Sequence, residues 1–299
     1  MNTTKKQFTI YMILAFAIAW ILQIVGSIFA GQGNLSVFRI ALVVTMFAPL
    51  AAALIAGIPL KGMGWIPKLK GKVRYVFVAL WFNSVLMILG AALFFCIFPK
   101  AFDADLAYFA DVLVLQAGEQ ALEQLEAQGL TMPMYLIVMA VQALTVSPFL
   151  NMFAAVGEEV GWRGAMTPYL KDKLGIVKGR ILSGIIWGAW HWPAMILAGY
   201  EYGTEYIGAP VLGPIVFCLC TVAMGILLDD IYEKTGCIWF PALMHGSVNA
   251  FATIFPYLVK AEYSTYTIFG PAYNGLIAMI PLWIAAAVVL MKSRKQEIA

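Results

Sequence analysis

The chain has 299 residues, 62% hydrophobic and 12% charged, with a formal net charge of +3 and a mean hydropathy of +0.85. A soluble globular chain carries about 45–50% apolar and about 25% charged residues, so the charges here are too few to coat a water-facing surface. These values exclude a soluble enzyme, a disordered chain and a nucleic-acid binder, and they mark an all-α integral membrane protein.

Eight apolar runs follow in chain order, over about 8–30, 38–60, 73–98, 132–160, 179–197, 209–228, 237–257 and 271–291. Each is long enough to cross ~30 Å of hydrocarbon as a helix. The first, behind Lys5 and Lys6, exceeds the roughly 7–15 apolar residues of a signal peptide and reads as a retained span. The spacing predicts an eight-helix transmembrane bundle forming one polytopic domain over 1–299, in a cell membrane.

Basic residues orient that bundle. The connection after the second run holds Lys61, Lys68, Lys70, Lys72 and Arg74 without an acid. The one after the fourth holds Arg163, Lys171, Lys173, Lys178 and Arg180 against Asp172, and the C-terminus adds Lys292, Arg294 and Lys295. Eight spans with both termini cytoplasmic put all three on one side. The connection 99–131 instead carries Asp103, Asp105, Asp111, Glu119, Glu123 and Glu126 against Lys100. Its part 111–128 alternates apolar and acidic residues with helical spacing and is expected to lie outside the bilayer as an amphipathic segment. The acidic connection between the sixth and seventh runs (Asp229, Asp230, Glu233, Lys234) fits the inner side least well, although acids count little in this rule.

Ionisable residues at membrane depth are costly, and each poses a functional question. Glu158 and Glu159 stand at the expected inner end of the fourth run, followed by Trp162 and Arg163. Glu159 and Arg163 are four apart and share a helix face. Glu158 points about 100° away and can face elsewhere; one carboxylate stays charged on the arginine while the other becomes the candidate general base. In the fifth run Trp187 precedes His191 by one turn, about a dozen residues from the inner side. In the seventh, His245 and Asn249 repeat the four-residue spacing, with His245 about eight residues in. These are the chain's two histidines, and the three stretches are expected to share one polar cavity open toward the cytoplasm.

A carboxylate beside a histidine activates water, and a second histidine with an asparagine donates to a developing oxyanion. That chemistry hydrolyses an amide without a covalent intermediate. Ser247 lies off the histidine face, and no cysteine is placed as a nucleophile. Cys96, Cys218, Cys220 and Cys237 read as small packing residues with no metal-finger spacing. The alternative is a His₂Glu zinc set of Glu158, His191 and His245 with water in the open position, although the HExxH signature is absent. A proton-linked transporter and a non-catalytic immunity or scaffold protein are the readings from other classes.

The stretches EEVGWR (158–163), WGAWH (187–191) and HGSVN (245–249) resemble the EExxxR, FxxxH and HxxxN/D motifs of the CPBP family, in the same order. These are the CAAX prenyl endopeptidase type II and bacteriocin-processing membrane proteases. The family core would cover about 132–257, with Trp187 standing where phenylalanine is usual. The resemblance implies an intramembrane endopeptidase of membrane-associated or lipidated peptides. Glu158 would be its water-activating base, Glu159 and Arg163 would fix that environment, and His191 would assist at the water and leaving group. His245 and Asn249 would form the oxyanion site. The family has been described both as metal-dependent and as a metal-independent glutamate protease, so the zinc alternative stays open.

Overall fold

A computed structural model describes residues 3–298; among them the chain is helical, with no strand beyond an isolated bridge between Phe102 and Val259. The first third comprises α1 (Lys5–Gly31), α2 (Leu35–Thr45), α3 (Ala48–Ile55) and α4 (Val73–Ile97). The acidic connection forms two short helices, α5 (Ala107–Ala117) and α6 (Gln120–Ala127). There follow α7 (Met132–Thr145), α8 (Ser147–Gly161), a π-helical turn over Trp162–Met166, α9 (Thr167–Leu174) and α10 (Ile176–Trp190). The chain ends with α11 (Trp192–Ala198), α12 (Leu212–Thr235), α13 (Trp239–Phe251) and α14 (Ile280–Ile298).

Proline sets the breaks. It lacks the N–H that would serve the carbonyl four residues back, and its ring crowds that carbonyl. Pro49 follows the break between α2 and α3, and Pro148 the break between α7 and α8. Pro168 follows the π turn, and Pro193 the break at His191.

Five helical stretches are long and apolar enough to cross a membrane: Lys5–Gly31, Leu35–Ile55, Val73–Ile97, Ile176–Ala198 and Leu212–Thr235. Counting α6 with α7, which meet at 89°, makes six. The other apolar runs depart from the expected single helices. The run 132–160 divides at Val146. The run 237–257 is α-helical only over the thirteen residues of α13, a rise of about 20 Å, and ends in a 3-10 turn at Phe255–Leu258. The run 271–291 begins as irregular chain packed on α4, where a Cβ on Gly90 would meet the Ala278 carbonyl oxygen at 2.0 Å. Apolar composition records burial, in lipid or in protein, and does not distinguish a helix from a buried irregular segment.

The helical stretch that carries the acids extends beyond the apolar run. The helix does not end after Val160 but runs through the π turn to Leu174 and reverses at Gly175, whose φ of +84° suits glycine. Glu159 and His191 lie sixteen residues either side of that turn, about 24 Å up each arm at ~1.5 Å per residue. Acid and imidazole therefore meet at one level.

Small residues bring the arms together. A Cβ on Gly184 would lie 2.3 Å from Val222 Cα, and one on Gly188 2.7 Å from Cys218 Cα, so α10 sits backbone to backbone on α12. At the Gly175 end, Asp229 of α12 accepts from Lys171 Nζ (2.7 Å) and Arg180 Nε (2.6 Å). Glu233 takes Lys171 and Arg180 Nη2, and Arg180 Nη1 donates to Ser293 of α14 at 2.6 Å. Asp229, Asp230, Glu233 and Lys234 thus belong to a helix rather than a loop, and Asp229 and Glu233 pair with Lys171 and Arg180 of the basic connection. All four cysteines are free thiols.

Candidate active site

The three stretches singled out by spacing converge. Glu158 and Glu159 are 2% and 0% exposed, on α8, and Arg163 is equally buried in the π turn. Their adjacency turns them to different partners. Glu158 Oε2 accepts from the indole N–H of Trp162 at 3.1 Å and of Trp187 at 2.8 Å, while Oε1 takes no hydrogen bond from the described residues. Glu159 Oε1 accepts from His245 Nδ1 at 2.8 Å, joining α8 to α13. Its Oε2 lies 3.1 Å from Arg163 Nε as an ion contact without hydrogen-bond geometry, and Arg163 Nη2 is likewise unpaired.

Trp187 is the hub. Besides donating to Glu158, its ring carries the Arg163 guanidinium at 4.3 Å and meets the His245 ring edge-on at 5.3 Å. Its backbone carbonyl accepts from His191 Nδ1 at 3.0 Å. A carbonyl only accepts, so His191 carries its Nδ1 proton and, when neutral, presents a lone pair at Nε2. The break ahead of Pro193 puts His191 between α10 and α11, within electrostatic reach of both Glu158 and His245. Asn249 lies one turn beyond His245, part-exposed, and makes no hydrogen bond to the described residues. Ser247 turns away, donating to the carbonyls of Ala79 and Met244.

The acids, Arg163 and His245 are sealed, whereas His191, Asn249, Tyr200 and Glu201 keep accessible surface. As for zinc, among the described residues no three His, Cys, Asp or Glu stand together as a metal-holding group. Glu158 Oε2 is also already taken by two indoles. Glu158, His191 and His245 as arranged do not form a ligand set.

Residues 140–251 match the sequence model of the type II CAAX prenyl endopeptidase Rce1-like family. That segment contains all three motifs. The segment is thus similar to this family, consistent with the CPBP resemblance of its motifs. A CAAX prenyl protease 2 of Methanococcus maripaludis is 35% identical over 80 residues, which is 27% of this chain and 29% of that protein. The match thus spans under a third of the relative's length.

Within this Rce1-like core, sequence reasoning missed three features. Trp162 is a donor to Glu158, and its four-residue spacing from the acid was the available signal. The indole of Trp187, read as a stacking partner, is a hydrogen-bond donor that phenylalanine cannot replace. Tyr200 and Glu201 had no motif to mark them.

Proposed function

We propose that the chain is an intramembrane endopeptidase hydrolysing a peptide bond in a small membrane-associated or lipidated peptide or protein, prenylated C-terminal tails being the substrate class. The observation that carries this reading is a buried carboxylate clamped at one oxygen by two indoles, its other oxygen unpaired, with the imidazole of His191 held one turn beyond the clamping Trp187. Glu158 Oε1 takes a proton from water as the oxygen attacks the scissile carbonyl, and His191 Nε2 orients that water. The proton passes to the leaving nitrogen as the C–N bond breaks, so the enzyme returns to its starting state. Asn249 Nδ2 donates to the oxyanion. His245, whose Nδ1 proton is given to Glu159, adds a second donor at Nε2 only as the imidazolium, with Glu159 as its counter-ion.

The frame that goes with this reading is one eight-span domain in the cell membrane, both termini cytoplasmic, in which shorter and broken helices complete the five long ones. Comparative peptidomics of membranes from cells carrying the wild type or Glu158→Ala tests the function. A peptide produced only by the wild type supports it and names the substrate. Identical peptide populations, with both proteins present at equal level, would overturn it.

A further inference from the structure

Tyr200 and Glu201 lie on the irregular chain after α11 and belong to none of the motifs. The Tyr200 ring is nearly parallel to His191, at 12° and 6.3 Å between centroids, within the range of offset stacking. Glu201 has φ +77°, one of two non-glycine residues in the left-handed region among the described residues, a conformation that persists only where the surroundings enforce it. Here they do. Asn274 Nδ2 donates to Glu201 Oε2 at 2.7 Å, the Tyr202 hydroxyl donates to the Asn274 carbonyl at 2.7 Å, and Thr267 Oγ1 donates to the Tyr202 carbonyl at 2.9 Å. The Glu201 carboxyl in turn interacts with the Tyr200 hydroxyl. Tyr202, Tyr273 and Cys220 are the other titratable groups around it. Burial pushes the Glu201 carboxyl up to about 7, with the Tyr200 hydroxyl pulling it partly back.

We infer that Tyr200 and Glu201 are a positioning pair for His191: Asn274 anchors the Glu201 carboxyl, the carboxyl fixes Tyr200, and the Tyr200 ring holds the imidazole. The anchor, Asn274, lies outside the segment matched by the family, so the device is carried by this chain's own C-terminal part. The inference rests on the assignment of His191 to the proposed hydrolysis.

The two histidines make it measurable without turnover. In detergent-solubilised protein labelled with ¹³C-histidine, His245→Gln assigns the two imidazole signals. Tyr200→Leu removes the ring current on His191, and Glu201→Gln loosens the tyrosine. Both are expected to move the His191 signal and its titration while leaving His245 in place. With a prenylated reporter peptide, Glu201→Gln is expected to lower kcat about tenfold, at unchanged KM. Glu201→Gly relieves the left-handed backbone and guards against misfolding. It is expected to remain folded, as read by its thermal unfolding, while losing the same activity and shifting the His191 signal, which a merely structural role would not produce. Wild-type His191 signals and rates in Tyr200→Leu and Glu201→Gln overturn the inference, even where Glu158→Ala is inactive and the protease reading stands. A wild type that cleaves nothing sinks the protease reading, and the His191 signals still decide the pair.

Discussion

Glu159→Gln isolates the electrostatics beneath the site. The substitution keeps the side chain's shape and lets an amide oxygen still accept from His245 Nδ1, but it takes from Arg163, 2% exposed, the carboxylate it contacts at 3.1 Å. Removing one partner of a buried pair destabilises by about 3–5 kcal/mol. The Trp187 ring at 4.3 Å from the guanidinium still contributes roughly 2 kcal/mol, which favours the lower end of that range. Weakening the His245 hydrogen bond from charged to neutral adds about 1 kcal/mol. The expected loss is therefore about 3–4 kcal/mol. The double variant Glu159→Gln with Arg163→Met removes the cation as well and is expected to recover most of that loss, because an apolar replacement of a buried pair is often near neutral. Reversible unfolding in mixed micelles, followed by the fluorescence of the nine tryptophans, reads both. A Glu159→Gln protein within ~1 kcal/mol of wild type, or a double variant no more stable than the single, would refute the reasoning.

Other consequences are as specific. Trp187→Phe keeps the aromatic hub but deletes the 2.8 Å donor to Glu158; with Trp162 still donating, the expected loss is about 1–2 kcal/mol and roughly tenfold in turnover, and unchanged kinetics would contradict the clamp. Activity is expected to survive strong chelation, with no stoichiometric zinc by elemental analysis; loss on chelation and recovery with zinc would instead establish the His₂Glu alternative. For Glu201, a folded-state pKa of about 7 against 4.5 stabilises fully below about 4.5, and that stabilisation is lost as pH rises to about 7. The gap is worth roughly 3 kcal/mol, so wild-type stability should fall by that amount relative to Glu201→Gln between those pH values and run parallel above them. Parallel curves throughout would show that the carboxyl is not held in its neutral form.

What the sequence could show depended on how local each signal was. Glu159 with Arg163 is an i, i+4 pair, and the rarity of charge in an apolar chain drew attention to Glu158, His191 and His245 wherever they sat. Helix ends were another matter. Pro168 and Pro193 stand inside apolar or motif-rich stretches, and only the structure distinguishes the π turn that lets α8 continue from the break that presents His191. Likewise, the thirteen-residue α13 and the irregular chain before α14 have the same apolar character as true spans, because burial against protein and against lipid select the same residues. The Glu201–Asn274 bond joins positions 73 residues apart and leaves no periodic trace.

The central claim is that Glu158, held by Trp162 and Trp187 beside His191, activates water to cut a peptide bond. Its most direct test is cleavage of a prenylated peptide by purified wild type, Glu158→Ala and His191→Ala in detergent, followed by mass spectrometry, with each variant shown to be folded by its thermal unfolding. Discrete cleavage by the wild type alone is the result expected. A folded Glu158→Ala protein that cuts at the wild-type rate would contradict the account.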